Sequence, residues 1–258
     1  MSTEKTNIVY GPIANMQEII AASATFQTLV GAADAAAAVA SVYSPLVWDT
    51  EIKTARPFAL VDFGDSWDSV RDSTDTARET GAGLVQFDAY VPTPAADSPS
   101  FEITGNGDPA VNAHYFLDGT HNGQPKYSSF DGRYEIWWDS GVSKWKISTE
   151  AGDVSAGHWI SPAAAIEATY AAVTYAGTPT VAAYVGPWTE TEKAAEIHRW
   201  FSVLVGDILS EMIALSNSGG GFLNIQSIRQ RFAVMRSHVE DRTDWGDFCI
   251  AVYEVFWS

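Results

Sequence analysis

Hydrophobic positions recur at helical spacing near the start of the chain. Residues 12–43 contain two such runs, PIANMQEIIAASA and FQTLVGAADAAAAVASVY, and the second is rich in alanine, the best helix former. Both runs are predicted to form helices, and the second is predicted to end before Ser44-Pro45. The buried face of that second helix is predicted to contain Phe26, Leu29, Val30, Ala33 and Ala37.

A longer helix is predicted after Pro187. Thr189 or Thr191 is the expected N-cap, and the glycines that begin at Gly219 are expected to end the helix. Its apolar stripe extends over roughly 27 residues and comprises Ile197, Trp200, Phe201, Leu204, Val205, Ile208, Met212 and Leu215. A stripe of this width predicts that the helix packs against another element.

Four segments have the composition and alternation of β-strands: RPFALVDFGD, GLVQFDAYV, FLNIQSIRQRFAVMR and DFCIAVYEVFW. The closing segment is apolar on both faces. It is therefore predicted to be either a central strand of a sheet or an edge strand that a neighbouring subunit covers.

The middle of the chain has a different pattern. The composition changes at PTPAADSPS and again at AGTPTVAAYVGP, both rich in proline and small residues. Between them, short β-type runs alternate with the turn signals GNGDP, DGTHNGQP, FDGR, DSGVSK and EAGD. This part of the chain is predicted to be a small all-β unit.

Together these patterns predict an α+β protein. We expect an α/β sandwich, with a mostly antiparallel sheet packed by the long helix, and with a small all-β domain inserted into it. Residues 1–95 and 188–258 are predicted to form the sandwich, and residues 96–187 the insertion. Three sequential domains are the alternative. Insertion is favoured because neither flank alone has enough sheet to cover its helices.

The stretch YSSFDGRYEIWWDSGVSKW, residues 127–145, concentrates aromatic side chains in the predicted insertion. Strand alternation separates Tyr134, Ile136 and Trp138 from Glu135, Trp137 and Asp139. The first set is the cleaner apolar set and is predicted to face the core. Trp137 is the candidate for an exposed indole that stacks on a sugar ring or a partner surface. In the alternative, the host domain or a neighbouring subunit covers Trp137.

Charge and composition exclude several classes of function. The chain has 15 Lys+Arg and 32 Asp+Glu, a formal net charge of −17, which disfavours binding to nucleic acid phosphates and anionic membranes. No apolar run reaches the ~18 residues of a membrane span, and the N-terminal residues do not have the pattern of a secretory signal. The single cysteine, Cys249, is predicted to be a buried small side chain.

No motif for catalysis, cofactor binding or metal binding is present in the sequence. The histidines His114, His121 and His158 lack the short spacing of metal ligands, so surface or turn positions are favoured for them. The acids Asp65, Asp68, Asp72 and Asp75 recur every three or four residues without EF-hand spacing, which favours a solvated acidic segment over a calcium site. We therefore expect no enzyme activity.

The outer segments resemble bacteriophage tail terminator or tail completion proteins, a family of the phage neck. The matching segments, in order, are TFQTLVGAADAAAAVASVY, RPFALVDFGD, GAGLVQFDAYVP, EIHRWFSVLVGDILSEMIAL and DWGDFCIAVYEVFW. The order of elements carries this resemblance, since none of the segments is a catalytic signature. The middle segment GTHNGQPKYSSFDGRYEIWWDSGVSKWKIS resembles a short β module that is found as an addition in phage and environmental bacterial proteins, and such an insertion departs from the family's pattern.

The resemblance implies a structural virion protein of the tail–neck region, made in the host cytoplasm. It implies a ring, usually of six subunits, that terminates the tail tube and joins it to the head-side connector. The implied partners are other copies of the chain, the tail tube protein and the head-tail connector protein, with DNA passing through the channel without sequence-specific binding.

The candidate subunit-contact residues are aromatic groups of the closing segment: Trp245, Phe248, Tyr253 and Trp257. The sequence leaves open whether they form subunit contacts or pack the sheet. It also leaves open two alternative functions: another connector or minor tail protein, or a carbohydrate- or host-surface-binding module on an assembly scaffold.

Overall fold

The structure is a computed structural model that describes residues 15–43, 57–62, 81–218, 225–237 and 248–257. The described residues divide into two compact units. The first contains residues of 1–91 and 201–258, and the second consists of residues 92–200. The predicted domain boundaries lay at 95/96 and 187/188.

Short helices begin the first unit. Residues 15–22 form α1, Ala24–Val30 form α2 and Ala35–Ala38 form α3, which a 3₁₀ turn at Val39–Ser41 follows. Ser23 caps α2 by accepting a hydrogen bond from the Phe26 N–H, 3.0 Å away. Gly31 ends α2 in the left-handed conformation, and Asp34 caps α3. The continuous second helix predicted from the alanine-rich sequence is therefore wrong, because glycine and capping residues divide it.

The break also changes which residues are buried. Of the predicted face, only Phe26 is buried, whereas Leu29 and Val30 are half-buried and Ala33 and Ala37 are exposed. The predicted face assumed one unbroken helical register, and the helix restarts at Asp34 with a new one. Ala38 is the buried residue of α3.

The predicted long helix is confirmed as α4, Glu190–Ser218. Thr189 is its cap: Thr189 Oγ1 accepts from the Glu192 N–H, and Glu192 Oε2 accepts from the Thr189 N–H at 2.9 Å, a capping box. Within the predicted stripe, Leu204 is half-buried and Leu215 is exposed. The buried members are Ile197, Trp200, Phe201, Val205, Ile208 and Met212.

The first unit contains a five-stranded sheet in the order β1-β2-β3-β14-β13. Its strands are β1 Val42–Tyr43, β2 Phe58–Asp62, β3 Gly81–Tyr90, β13 Ile225–Ser237 and β14 Phe248–Trp257. β1 pairs with β2 in parallel, and all other pairs are antiparallel. Because β14 lies between β3 and β13, the closing segment is a central strand, as the first of the two predicted alternatives stated.

α4 is also fixed to the start of α2 inside the first unit. The Glu211 carboxylate accepts from Ser23 Oγ at 2.6 Å, from Thr25 Oγ1 at 2.7 Å and from the Thr25 N–H at 3.1 Å. Burial raises the pKa of Glu211, but these donors outweigh burial and hold the pKa below its ordinary value. The charged carboxylate thus satisfies N–H and hydroxyl groups at a helix start.

The second unit is built on a nine-stranded sheet in the order β10-β12-β4-β5-β6-β7-β8-β9-β11. Its strands are β4 Phe101–Thr104, β5 Ala113–His121, β6 Gln124–Ser129, β7 Glu135–Asp139, β8 Lys144–Ser148, β9 Trp159–Ile160, β10 Ala168–Thr169, β11 Ala171–Ala172 and β12 Thr180–Ala183. Neighbouring strands are antiparallel. The predicted turn at Asn122-Gly123 joins β5 to β6, with φ of 51° and 74°.

One apolar cluster fills one side of this sheet. Its buried members include Tyr115, Ile136, Trp145, Ile147 and Trp159. Tyr134 and Trp138 pack against the cluster and are partly buried. The prediction that Tyr134, Ile136 and Trp138 face the core is therefore confirmed.

The fold class is confirmed as α+β, with antiparallel sheets and a long packed helix, α4. Within the described residues, none of the helices combines the length and apolarity needed to cross a membrane. The acids Asp65, Asp68, Asp72 and Asp75 lie outside the described residues.

Gly177 offers a test of backbone packing in the second unit. Its φ is +81°, and an added Cβ would lie 1.7 Å from the carbonyl oxygen of Asn106. Gly132 is the matched control, because its φ is +71° but no atom lies within 4 Å of an added Cβ. We expect Gly177→Ala to lower the free energy of unfolding by more than about 3 kcal/mol and Gly132→Ala by about 1 kcal/mol, measured by urea unfolding. Equal losses would contradict the close approach at Asn106.

Candidate interaction surfaces

The five-stranded sheet has two faces that differ in burial. The face we call the inner face carries buried side chains: Ala59, Val61, Val85, Phe87, Ala89, Cys249, Ala251 and Val255. The opposite face, the outer face, carries the polar residues Gln86, Asp88 and Glu254, of which Asp88 is buried, together with five half-buried apolar side chains: Leu60, Leu84, Ile250, Val252 and Phe256. Covering such a face removes apolar surface from water, which favours association.

Arginines border the outer face along β13, an edge strand of the sheet in the described part of the chain. The Arg229 guanidinium carbon lies 5.2 Å from the ring centre of Phe256. Arg231 pairs with Glu254 at 2.5 Å, which raises the pKa of Arg231, and 59% of the Arg231 side chain stays exposed. A cationic edge therefore lies directly beside the apolar outer face.

The four predicted contact residues have different positions. Trp245 lies outside the described residues, and for Phe248 and Trp257 the structure describes only the backbone, as the first and last residues of β14. Tyr253 is half-buried on the inner face, with its ring centre 6.4 Å from that of Phe87. Burial raises the pKa of the Tyr253 hydroxyl. The side chain of Tyr253 thus packs the sheet, and a role for it in subunit contact stays a prediction.

Trp137 is not the exposed residue that the sequence predicted. Only 3% of it is exposed, and its Nε1 donates a hydrogen bond to Ser148 Oγ at 2.8 Å. The His121 ring lies 5.1 Å away, edge to face, and Lys146 Nζ lies 5.5 Å from the Trp137 ring centre. The exposed-indole prediction is wrong because side chains of the same unit cover this face, not a host domain or a neighbouring subunit.

A ladder of charged groups crosses the face of β5, β6 and β7 that is opposite the apolar cluster. Lys126 Nζ pairs with Glu135, and lies 3.1 Å from Asp118 Oδ2. Ser128 Oγ lies 2.6 Å from Asp118 Oδ2 and 3.3 Å from Glu135 Oε1. The Ser128 and Lys126 hydrogen bonds hold the pKa of Asp118 below its ordinary value. Each of the three strands thus contributes at least one member of a polar network, and β6 contributes two.

A second network surrounds Asp131, whose side chain is only 2% exposed. Asp131 accepts from Ser129 Oγ at 2.7 Å and from Arg133 Nε at 2.8 Å, and Arg199 lies 3.9 Å away. Burial raises the pKa of Asp131, but the Arg133 charge and the hydrogen bonds outweigh burial, so the pKa lies below its ordinary value. Asp131 is therefore a charged, satisfied group inside the second unit.

Both networks border a cleft of about 380 Å³ in the second unit. Its polar wall contains Asp118, Ser128, Ser129, Asp131 and Glu135. Its apolar wall contains Pro92, Pro94, Ala95, Phe116 and Phe130. Asp118 and Glu135 share Lys126, and Asp131 pairs with Arg133, so each carboxylate has a cationic partner in the same unit and the polar wall does not define a ligand.

The three histidines of the predicted insertion have separate environments. His114 Nδ1 lies 3.0 Å from Glu196 Oε2, and its ring lies 4.8 Å from that of Trp188. His121 packs on Trp137, and His158 is buried, which lowers its pKa. The predicted surface or turn position is therefore wrong for His158. Among the described residues, no group of three His, Cys, Asp or Glu side chains could hold a metal ion.

The sequence did not single out the charged ladder or the arginine edge. Alternation along the strands contains part of the signal, because Glu135 lies between Tyr134 and Ile136, which face the core. Which of these groups meet depends on the strand register. Comparisons with family models, with curated proteins and with solved structures find no match to this chain.

Asp131 allows a test of the polar networks. We expect Asp131→Asn to lower the free energy of unfolding by about 2 kcal/mol at neutral pH, because a buried, charged acceptor of Arg133 is lost. Since the folded-state pKa of Asp131 is depressed, its contribution is present above its unfolded pKa and is lost as the pH falls through the folded pKa. Stability of the variant should therefore fall less steeply below about pH 4.

The control for this experiment is Asp153→Asn. Asp153 is an exposed carboxylate that accepts from the Ser155 N–H at 2.7 Å and has no ion pair in the described residues. Urea unfolding as a function of pH should show little change in this variant. If Asp131→Asn behaves like Asp153→Asn, the Asp131 network does not stabilise the second unit.

Proposed function

We propose that this chain is a structural virion protein of the phage tail–neck region. It assembles with copies of itself into a ring, six-fold as in the family it resembles, that terminates the tail tube and joins it to the head-side connector. The observation that carries this proposal is the outer face of the first sheet. Its half-buried apolar side chains offer a surface that a neighbouring copy can cover.

The position of β14 supports a contact made by side chains of a sheet face. Both backbone edges of β14 are hydrogen-bonded, one to β3 and one to β13, so this strand cannot add to a strand of another subunit. Its outward side chains Ile250, Val252 and Phe256 are still half-buried apolar groups. A neighbour that covers them gains the hydrophobic effect without disturbing the sheet.

The net charge supports the same function. A charge of −17 keeps free copies apart, so association requires a specific apolar or cationic surface. In a ring around passing DNA, acidic walls repel phosphates and reduce sticking. The partners of the ring are the tail tube protein and the connector protein. Another connector or minor tail protein would use the same surfaces, and location within the virion separates these roles.

The carbohydrate-binding alternative depended on Trp137 as a stacking surface. Trp137 is buried, and its indole N–H already has a partner in Ser148. A sugar ring cannot stack on a covered indole face. We therefore do not propose a carbohydrate site at this residue.

Val252 tests the ring proposal. We expect the wild-type chain to form a discrete oligomer by light scattering and a ring by negative-stain microscopy. Val252→Glu should shift the population to monomers, because it places a charge in the apolar contact. Val185→Glu is the matched control, since Val185 is 90% exposed in the second unit. Its oligomer should match the wild type.

Folding must be checked separately from assembly. Val252→Thr is a near-isosteric variant that tests the same contact with a smaller structural change, and it should weaken the oligomer while retaining the wild-type circular dichroism spectrum. A wild-type chain that stays monomeric at every concentration, also with tail tubes present, would contradict the proposed function. Loss of assembly in Val185→Glu as well would contradict the assignment of the contact to the outer face.

A further inference from the structure

Cations are unusually concentrated at one edge of the first sheet. β13 contains three arginines, Arg229, Arg231 and Arg236, and no acidic residue, and β14 contains one acid, Glu254. The whole chain has 15 Lys+Arg against 32 Asp+Glu. A strand pair with excess positive charge is therefore attached to a strongly acidic protein.

The described side chains of this edge are available to a partner. Ser227, Arg229, Gln230 and Arg231 are exposed. Arg231 has Glu254 as an intramolecular partner, but Glu254 is only 12% exposed and serves one side of the guanidinium. The Arg229 guanidinium lies against the Phe256 ring, which orients it at the border of the apolar outer face. Arginines held in this way are preorganised for carboxylates.

The β13 edge is poorly suited to bind a partner strand through backbone hydrogen bonds. The register between β13 and β14 shifts at three places, between Ile225 and Ser227, between Gln230 and Phe232, and between Val234 and Ser237. Such bulges twist an edge and interrupt the regular spacing that strand addition needs. Contact along β13 is therefore expected from side chains, chiefly the arginines.

We propose that the arginine edge of β13 binds an acidic surface of a second copy of this chain. Identical copies repel through their net charge, whereas the arginines of this edge carry the charge that attracts an acidic surface of another copy. The contact is heterologous, since a basic surface of one copy meets an acidic surface of the next, and heterologous contacts form a ring when the rotation between copies closes. This inference rests on the proposed function, because it names the charged part of the ring contact.

The experiment compares two charge reversals with the same change in net charge. Arg229→Glu with Arg231→Glu removes the arginine edge. Lys144→Glu with Lys193→Glu is the control, because both lysines are half-buried in the second unit and Lys193, like Arg231, has one carboxylate partner, Glu190. We expect the arginine variant to raise the dissociation constant of the oligomer by about tenfold or more, and the control to change it by less than about threefold.

A salt series and a milder variant distinguish the loss of charge attraction from a loss of folding. The wild-type oligomer should weaken as NaCl rises from about 50 mM to about 500 mM, and the arginine variant should lose this dependence. Arg229→Gln with Arg231→Gln should reproduce the weakening without like-charge repulsion. Thermal unfolding of each variant shows whether the first unit stays folded.

The outcomes distinguish this inference from the proposed function. A monomeric wild type contradicts both. If the wild type is oligomeric and the arginine variants behave like the lysine control, the proposed role of the arginine edge is wrong, but the ring proposal still stands. Fluorescence anisotropy with a DNA duplex of about 20 base pairs tests whether the edge binds nucleic acid instead. If the wild type binds the duplex and both arginine variants do not, the edge is a nucleic acid site and the proposed contact with a second copy is wrong.

Discussion

The pairing of β3 with β14 is the interaction on which the first unit depends. Ten residue pairs join the two strands in one unbroken antiparallel register, from Phe248 opposite Tyr90 to Trp257 opposite Gly81. This ladder brings together segments separated by most of the chain, so it carries a large loop-closure cost that only extensive burial offsets. It also makes β14 a central strand, with Cys249, Ala251 and Val255 fully buried on the inner face.

The nine-stranded sheet of the second unit depends on a different constraint, the contrast between its two faces. The sheet buries an apolar cluster on one face and carries a partly exposed charged ladder on the other, so both faces are specified. A register slip of one residue would move Glu135 and Trp137 into the cluster and Ile136 out of it. Lys126 pairs with both Asp118 and Glu135, which offsets part of the cost of partly burying these groups and leaves one carboxylate charge in excess.

The two surfaces proposed for assembly have complementary roles. The half-buried aliphatic groups of the outer face supply affinity that does not depend on orientation, because the hydrophobic effect scales with covered area. The arginines of β13 lie on one border of that face, so they supply direction and a dependence on salt. On a protein of net charge −17, a surface with both properties discriminates against random association.

Local signals in the sequence predict the capped helix α4, the Asn122-Gly123 hairpin and the apolar strand segments, since capping, turn and periodicity signals act over a few residues. The sequence also indicated which side of β7 faces the core. The sequence-based predictions were wrong where a helix is interrupted or where a contact with a distant residue sets the burial of a side chain. Gly31 and Asp34 divided the alanine-rich helix. The burial of Trp137, the contact between Arg229 and Phe256 and the central position of β14 depend on tertiary contacts, because these contacts join residues whose separation in sequence carries no local signal.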